Sequence, residues 1–206
     1  MKTKEVHWQE VYNSRESNEV SWYQSVPDAS LRFIEKNVPK NAAIIDVGAG
    51  DSNLVDFLVQ AGFTDITLLD ISQAALNKVR HRLAGKDSGV TYITSDILNF
   101  RSERQYAFWH DRAAFHFLTN GNEIKRYTEI MAATLQTDGH ALIGTFSEIG
   151  PEKCSGIAVC RYSEDQLELA FKENFDKETC FVHDHQTPFD TVQNFIFCSF
   201  KKSRTL

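Results

Sequence analysis

Residues 43–58 read AIIDVGAGDSNLVDFL: a short apolar run, a glycine-rich turn, then apolar residues at helical spacing at Leu54, Phe57, Leu58 and Ala61. This order constrains the fold more than any other feature of the chain. A buried strand that turns sharply into a helix packs that helix back onto its sheet. Repeating the unit builds a parallel sheet covered on both faces.

The unit does repeat. Further apolar runs stand at 65–70 (DITLLD), 90–94 (VTYIT), 106–111 (YAFWHD), 140–146 (HALIGTF), 178–184 (ETCFVHD) and 194–200 (NFIFCSF). Helical periods fill the gaps. Gly62 is placed to stop the first helix, and Ser72 to cap a second through Ala75, Leu76, Val79 and Leu83. A third is expected over 123–136 and a fourth from the N-cap Ser163 to Asn174. The last two runs are joined by HQTPFDTVQ, too short for a crossover helix, so they are expected to pair antiparallel. Two further helices, WQEVYNS and PDASLRFIEKNV, precede residue 42 and flank the aromatic pair Trp22 and Tyr23.

A chain of 206 residues is long enough for one core, and the expectation is a single domain over 1–206, with an N-terminal helical lid at 1–41 and the sheet at 42–206. A formal net charge of -6 without a long basic block argues against a nucleic-acid partner. No apolar run approaches the ~20 residues of a membrane span, and residues 1–24 lack the apolar core of a secretory signal. A cytoplasmic protein without a membrane partner is expected, as a monomer or weak dimer. The four cysteines, Cys154, Cys160, Cys180 and Cys198, lack metal-binding spacing and read as buried thiols rather than bridges or ligands. His183 and His185 share one strand face without an evident third ligand, so no metal site is expected.

The turn after the first strand is where doubly wound folds hold nucleotides. Here the third glycine of a dinucleotide fingerprint is replaced by Asn53, and Asp46 and Asp51 flank the turn, where carboxylates repel a pyrophosphate. A ligand with positive charge and hydroxyls suits these acids better. Asp70 closes the second strand where an acid accepts both hydroxyls of a ribose, and Asp96 follows the third strand within reach of an adenine amine. A nucleoside without phosphate, carrying a cationic portion, describes S-adenosylmethionine.

D-V-G-A-G, the acid ending the second strand, S-D-I after the third and an antiparallel seventh strand together resemble the class I S-adenosylmethionine-dependent methyltransferases. The resemblance runs from about Ala42 to Phe200. EVSWYQ, WHDRAAFHFL and TFSEIGPEKCSG are similar to a bacterial methyltransferase group related to the thiopurine and lysine methyltransferase families. It implies a Rossmann-like α/β sheet of seven strands, mostly parallel with an antiparallel last strand, and helices on both faces. It also implies that Asp46, Gly48 and Gly50 line the methionine portion of the cofactor, Asp70 and Ile71 the ribose, and Asp96 and Ile97 the adenine.

The implied activity is methyl transfer to a nucleophilic acceptor, presented where the fourth strand ends in FWHDRAAFHF. Such an in-line displacement relies on orientation and water exclusion, and needs a base only if the acceptor must lose a proton. His110 is the candidate base, or else a structural imidazole. Asp111 and Arg112 form either an ion pair or a substrate contact, and Phe115, His116 and Phe117 are either core or pocket wall. Trp22 and Tyr23 read as lid contacts, Trp22 toward the cofactor and Tyr23 toward the acceptor. The irregular segment 150–162 is expected to cover the acceptor, with Cys154 either touching it or inert. A small-molecule acceptor leads. A protein lysine is the alternative, although Asp111-Arg112-Ala113-Ala114 departs from the acidic-lysine-glycine-threonine turn of related lysine enzymes. A nonenzymatic cofactor-binding protein is the third reading.

Overall fold

The computed structural model describes residues 3–203, so the first two residues of the expected lid and the last three of the chain lie outside it. Helices α1 (Lys4–Ser14) and α2 (Asp28–Asn37) precede β1 (Ile44–Val47), α3 (Leu54–Gln60), β2 (Ile66–Asp70), α4 (Gln73–Arg82) and β3 (Val90–Thr94). Then come β4 (Tyr106–Arg112), α5 (Gly121–Thr134) and β5 (Leu135–Phe146). A small ribbon, β6 (Lys153–Cys154) and β7 (Ile157–Ala158), leads to α6 (Glu164–Phe171), β8 (Phe175–Gln186) and β9 (Val192–Lys202).

Seven strands form one sheet in the order β3-β2-β1-β4-β5-β9-β8. The strands from β3 to β5 run parallel, and β9 inserts antiparallel between β5 and β8. The expected mostly parallel sheet with an antiparallel last strand is thus present. Strand order reverses between β1 and β4, which opens a crevice at their carboxyl ends.

Alternation along the strands divides the core in two. Ile44, Leu68, Phe108 and Leu142 face α2, α3 and α4, packing on Ile34, Leu54, Leu58, Leu76 and Val79. Ile45, Val47, Trp109 and Ile143 face α5 and α6, packing on Tyr127, Met131, Leu167 and Phe171. Ser72 caps α4 and Ser163 caps α6, as their side chains accept from Ala75 N and Gln166 N.

Three expectations need correction. The third helix ends at Thr134 and the fifth strand starts at Leu135 rather than 140, with Asp138 at φ 60° and a register shift opposite Tyr106–Phe108. The last two strands reach 12 and 11 residues, longer than their apolar runs, because each continues through polar positions supported by its neighbour's ladder. Cys180 and Cys198, read as thiols, are joined in a disulfide. They stand directly opposite in the β8–β9 register with Cα atoms 4.1 Å apart, a proximity that a separation of 18 residues does not disclose. No helix among the described residues is long and apolar enough to cross a membrane.

Candidate functional site

The crevice at the carboxyl ends of β1, β2 and β4 is a cavity lined by Trp22, Tyr23, Asp46, Gly48, Asp70, Ile71, Asp96, Ile97, His110, Arg112 and Cys154, all candidates from the sequence. Gly50 lies behind its wall. Asp111 and Phe115 do not reach it.

The glycines serve the protein's own packing as well as an open wall. Gly48 (φ 65°) faces the cavity, and its N–H donates to Leu69 O at 2.8 Å. A Cβ there would collide with the side chain of Ala114. A Cβ at Gly50 (φ 56°) would strike the Tyr12 hydroxyl. Behind the turn, the Asp70 carboxylate accepts from Gly50 N at 2.8 Å and from Ser72 N at 2.7 Å, one bond per oxygen. Each oxygen keeps a further lone pair for a ligand hydroxyl. Burial, reinforced by Asp46 and Asp51, pushes this carboxyl up to about 6 despite those two donors. Asp96 accepts from Leu98 N at 2.9 Å and stands half-buried with Ile97 at the β3 end of the cavity.

On β4, strand geometry decides which side chains reach the site. The strand continues through Arg112, so Phe108, His110 and Arg112 share one face while Trp109 and Asp111 take the other. His110 is buried, with Nδ1 2.6 Å from Asp46 Oδ1 and Nε2 2.8 Å from Ser30 Oγ on α2. Both ring nitrogens are therefore occupied by protein partners. Asp111 is fully buried on the α5 side and accepts from Tyr127 Oη at 2.6 Å, Ala114 N at 2.9 Å and Phe115 N at 3.1 Å. Trp109 Nε1 donates to the same Tyr127 oxygen at 2.8 Å. Phe115 packs among Tyr127, Tyr162 and Phe171. The expectation that Asp111 and Phe115 touch the acceptor is corrected: they hold the turn after β4 from below. Asp111 and Arg112 form no ion pair, because adjacent strand residues point to opposite faces.

The roof comes from α1 and the ribbon. Trp8 and Tyr12 stand four residues apart on α1, one turn from each other, and line the cavity beside Trp22 and Phe117. Trp8 meets Trp22 at 5.5 Å and Phe117 at 5.2 Å between ring centroids, both edge-to-face. Helix α1 and the turn that follows it are fastened at several points. Gln9 Oε1 accepts from Ser72 Oγ (3.1 Å) and Ala74 N (3.2 Å), and Ser17 Oγ donates to Asp51 Oδ2 at 2.6 Å. His7 Nε2 lies 3.1 Å from Ser155 Oγ in the ribbon turn, so lid and ribbon meet above the cavity. Cys154 lines it from the ribbon as a buried thiol pushed up to about 12 by burial. His185 is no ligand candidate here: its Nε2 donates to Ser21 O at 2.8 Å.

Sequence reasoning missed Trp8, Tyr12 and Ser30. The i, i+4 aromatic pair in WQEVY was the available signal for the first two. Ser30 carried none, since its role depends on α2 lying across β1 and β4.

Residues 44–139 match the protein family described as "Methyltransferase domain". EEF1A lysine methyltransferase 2 of Danio rerio is 25% identical over 154 residues, covering 71% of this chain and 60% of the relative, so the match spans less than two thirds of that protein. A solved S-adenosylmethionine-dependent methyltransferase from Anabaena variabilis shares the fold at TM-score 0.81 and 16% identity, over 98% of this chain and 96% of that one. The N-methyltransferase NodS from Bradyrhizobium japonicum, solved with S-adenosylhomocysteine, gives TM-score 0.74 at 12% identity, over 96% of this chain and 100% of that one.

Proposed function

We propose that the chain is a class I S-adenosylmethionine-dependent methyltransferase and that it methylates a small nucleophilic molecule held beneath the α1 and ribbon roof. The observation that carries this reading is the roof itself: Trp8, Tyr12, Trp22, Phe117 and Cys154 line the cavity at the end of β4.

The cavity wall suits the cofactor. Gly48 presents backbone without a side chain, and the acids Asp46, Asp51, Asp70 and Asp96 favour a cationic nucleoside over a phosphate. Asp70 and Ile71 would hold the ribose, Asp96 and Ile97 the adenine, and Asp46, Gly48 and Trp22 the methionine portion, with Gly50 fixing Asp70 from behind. When bound, S-adenosylmethionine supplies a methyl group on a sulfonium, whose departure as a neutral thioether makes the displacement easy. The protein's contribution is orientation and exclusion of water. Ser30, His110 and Asp46 form one buried chain that points a carboxylate into the cavity. His110 lacks a free nitrogen for the acceptor, so its role is to position Asp46 rather than to remove a proton.

A protein lysine is the second reading, favoured by the name of the Danio rerio relative. One experiment separates the two: methyl-labelled cofactor with purified protein in filtered and unfiltered cell extract. Label in small molecules supports the first reading; label confined to protein overturns it.

A further inference from the structure

We infer that Asn53 is a positioning residue, which fixes the strap formed by residues 21–25 over the acceptor's half of the cavity. The inference deepens the small-acceptor reading and rests on it. Asn53 stands where a dinucleotide fingerprint has its third glycine, and it is the N-cap of α3. An asparagine in that place ordinarily accepts from an amide of its own helix. Here it makes no such bond, and Ser52 Oγ accepts from Leu54 N instead, at 3.1 Å. The Asn53 amide is turned to the strap: Nδ2 donates to Gln24 O at 2.9 Å and lies 3.5 Å from Ser25 O. Two carbonyl oxygens beside one atom of the amide require that atom to be the nitrogen.

The strap has little backbone bonding of its own. It belongs to no helix or strand, and among the described residues its backbone bonding is limited to Tyr23 N donating to Val20 O at 3.2 Å. Side chains hold its carbonyls instead, each from a different part of the fold. His185 on β8 donates to Ser21 O at 2.8 Å, Arg112 at the end of β4 donates to Trp22 O at 3.1 Å, and Asn53 in the turn after β1 donates to Gln24 O.

These three partners fix the course of the strap, from the glycine turn at β1, past β4, toward β8. The proposed nucleoside site uses the ends of β1, β2 and β3, on the other side of the crevice. Trp22, Tyr23 and Gln24 all line the cavity. Trp22 stands at the methionine portion of the proposed cofactor site, and Tyr23 and Gln24 continue the wall on the acceptor's side. Of the three side chains that hold the strap, Asn53 is the one carried by the glycine turn itself. Its amide therefore sets the donor wall and the acceptor wall at a fixed distance from each other, which is what an in-line displacement requires of its two reactants.

The test compares Asn53→Gly and Asn53→Asp with the wild type, each as the complete chain saturated with S-adenosylhomocysteine. Glycine removes the amide without adding charge, while aspartate keeps its size and turns a donor into an acceptor facing carbonyl oxygens. Both residues serve at an N-cap, so α3 is left in place. In nitrogen–proton correlation spectra the Trp22 indole N–H, set beside the Trp8 and Tyr12 rings and identified by its loss in Trp22→Phe, reports the strap. Amides of residues 58–60 report α3. In both variants the Trp22 resonance is expected to move or broaden while those of 58–60 keep their positions. Transfer from methyl-labelled S-adenosylmethionine to small molecules of filtered cell extract is expected to fall by about tenfold, the upper end for one lost hydrogen bond. A Trp22 resonance that stays in place in both variants overturns the inference, as does undiminished transfer. Movement of residues 58–60 without Trp22 would make Asn53 a helix cap only and overturn it. A fall of about tenfold or more in S-adenosylhomocysteine affinity with Trp22 unmoved would make Asn53 a direct cofactor contact and overturn it too. Failure of the wild type to bind S-adenosylhomocysteine, or to label small molecules, would overturn the reading beneath the inference and the inference with it.

Discussion

His110 Nδ1 lies 2.6 Å from Asp46 Oδ1, and the ring's other nitrogen lies 2.8 Å from Ser30 Oγ. The imidazole is a strut between α2 and the end of β1. His110→Ala should therefore weaken S-adenosylhomocysteine binding, because Asp46 loses a partner contributing about 1.5 to 3 kcal/mol and is free to turn. Calorimetry reads this directly. Unchanged cofactor affinity with a turnover loss of about 100-fold would instead give His110 the role of general base.

Asp70 should make cofactor binding sensitive to pH. Burial places its carboxyl at about 6 rather than the ordinary 3.8, and ribose hydroxyls donate best to the ionised form. Affinity should fall as pH drops through 6, by at most about tenfold per unit for a single proton. The effect on stability has the opposite sign: the raised value stabilises the fold below the unfolded carboxyl's range, and that contribution is lost as pH rises through 6. Asp70→Asn should bind weakly at every pH and flatten the profile. Calorimetric titrations on either side of pH 6 would reject the ribose assignment if wild type and variant behaved alike.

Gly50 and Tyr12 should be energetically coupled. A methyl at Gly50 meets the Tyr12 hydroxyl, so Gly50→Ala should cost about 1 to 3 kcal/mol in chemical denaturation, part of it from the left-handed backbone. Tyr12→Phe removes the colliding oxygen. The double variant should recover about 1 kcal/mol relative to the sum of the single changes. Strict additivity would mean that α1 does not rest on the turn.

Tyr127→Phe should destabilise the chain by about 1 to 3 kcal/mol, since the buried Asp111 carboxylate then loses its shortest hydrogen bond and Trp109 Nε1 its acceptor. Asp111 also braces the turn after β4, so cofactor affinity should weaken together with stability. Equilibrium unfolding compared with the wild type checks the first part, and a variant as stable as the parent would remove Tyr127 from the support of that turn.

Much of the site was legible before folding. The strand, glycine turn and helix at 43–58, with acids ending the next two strands, placed Asp46, Gly48, Asp70, Ile71, Asp96 and Ile97 on one cavity wall, as parallel alternation brings successive strand ends to one edge. Gly50 was found for an incomplete reason: it opens no wall to the ligand but admits Tyr12. At 106–117 the chemistry-bearing residues were visible as a group, but not which of them face the site. Extending β4 by one residue sends Arg112 to the cavity and Asp111 to the core, because side chains alternate across a strand.

Local pattern thus determined the α/β alternation, the antiparallel end and the acids at the carboxyl ends of the first three strands, since each depends on residues close in sequence. Tertiary structure alone decided the partners made across the chain: Ser30 on His110 at a separation of 80 residues, Trp22 on Arg112 at 90, His7 on Ser155 at 148 and the Cys180–Cys198 bridge. Periodicity reports which face a side chain takes on its own element. It does not report what another element lays against that face, and the enclosure of this cavity depends on that second relation.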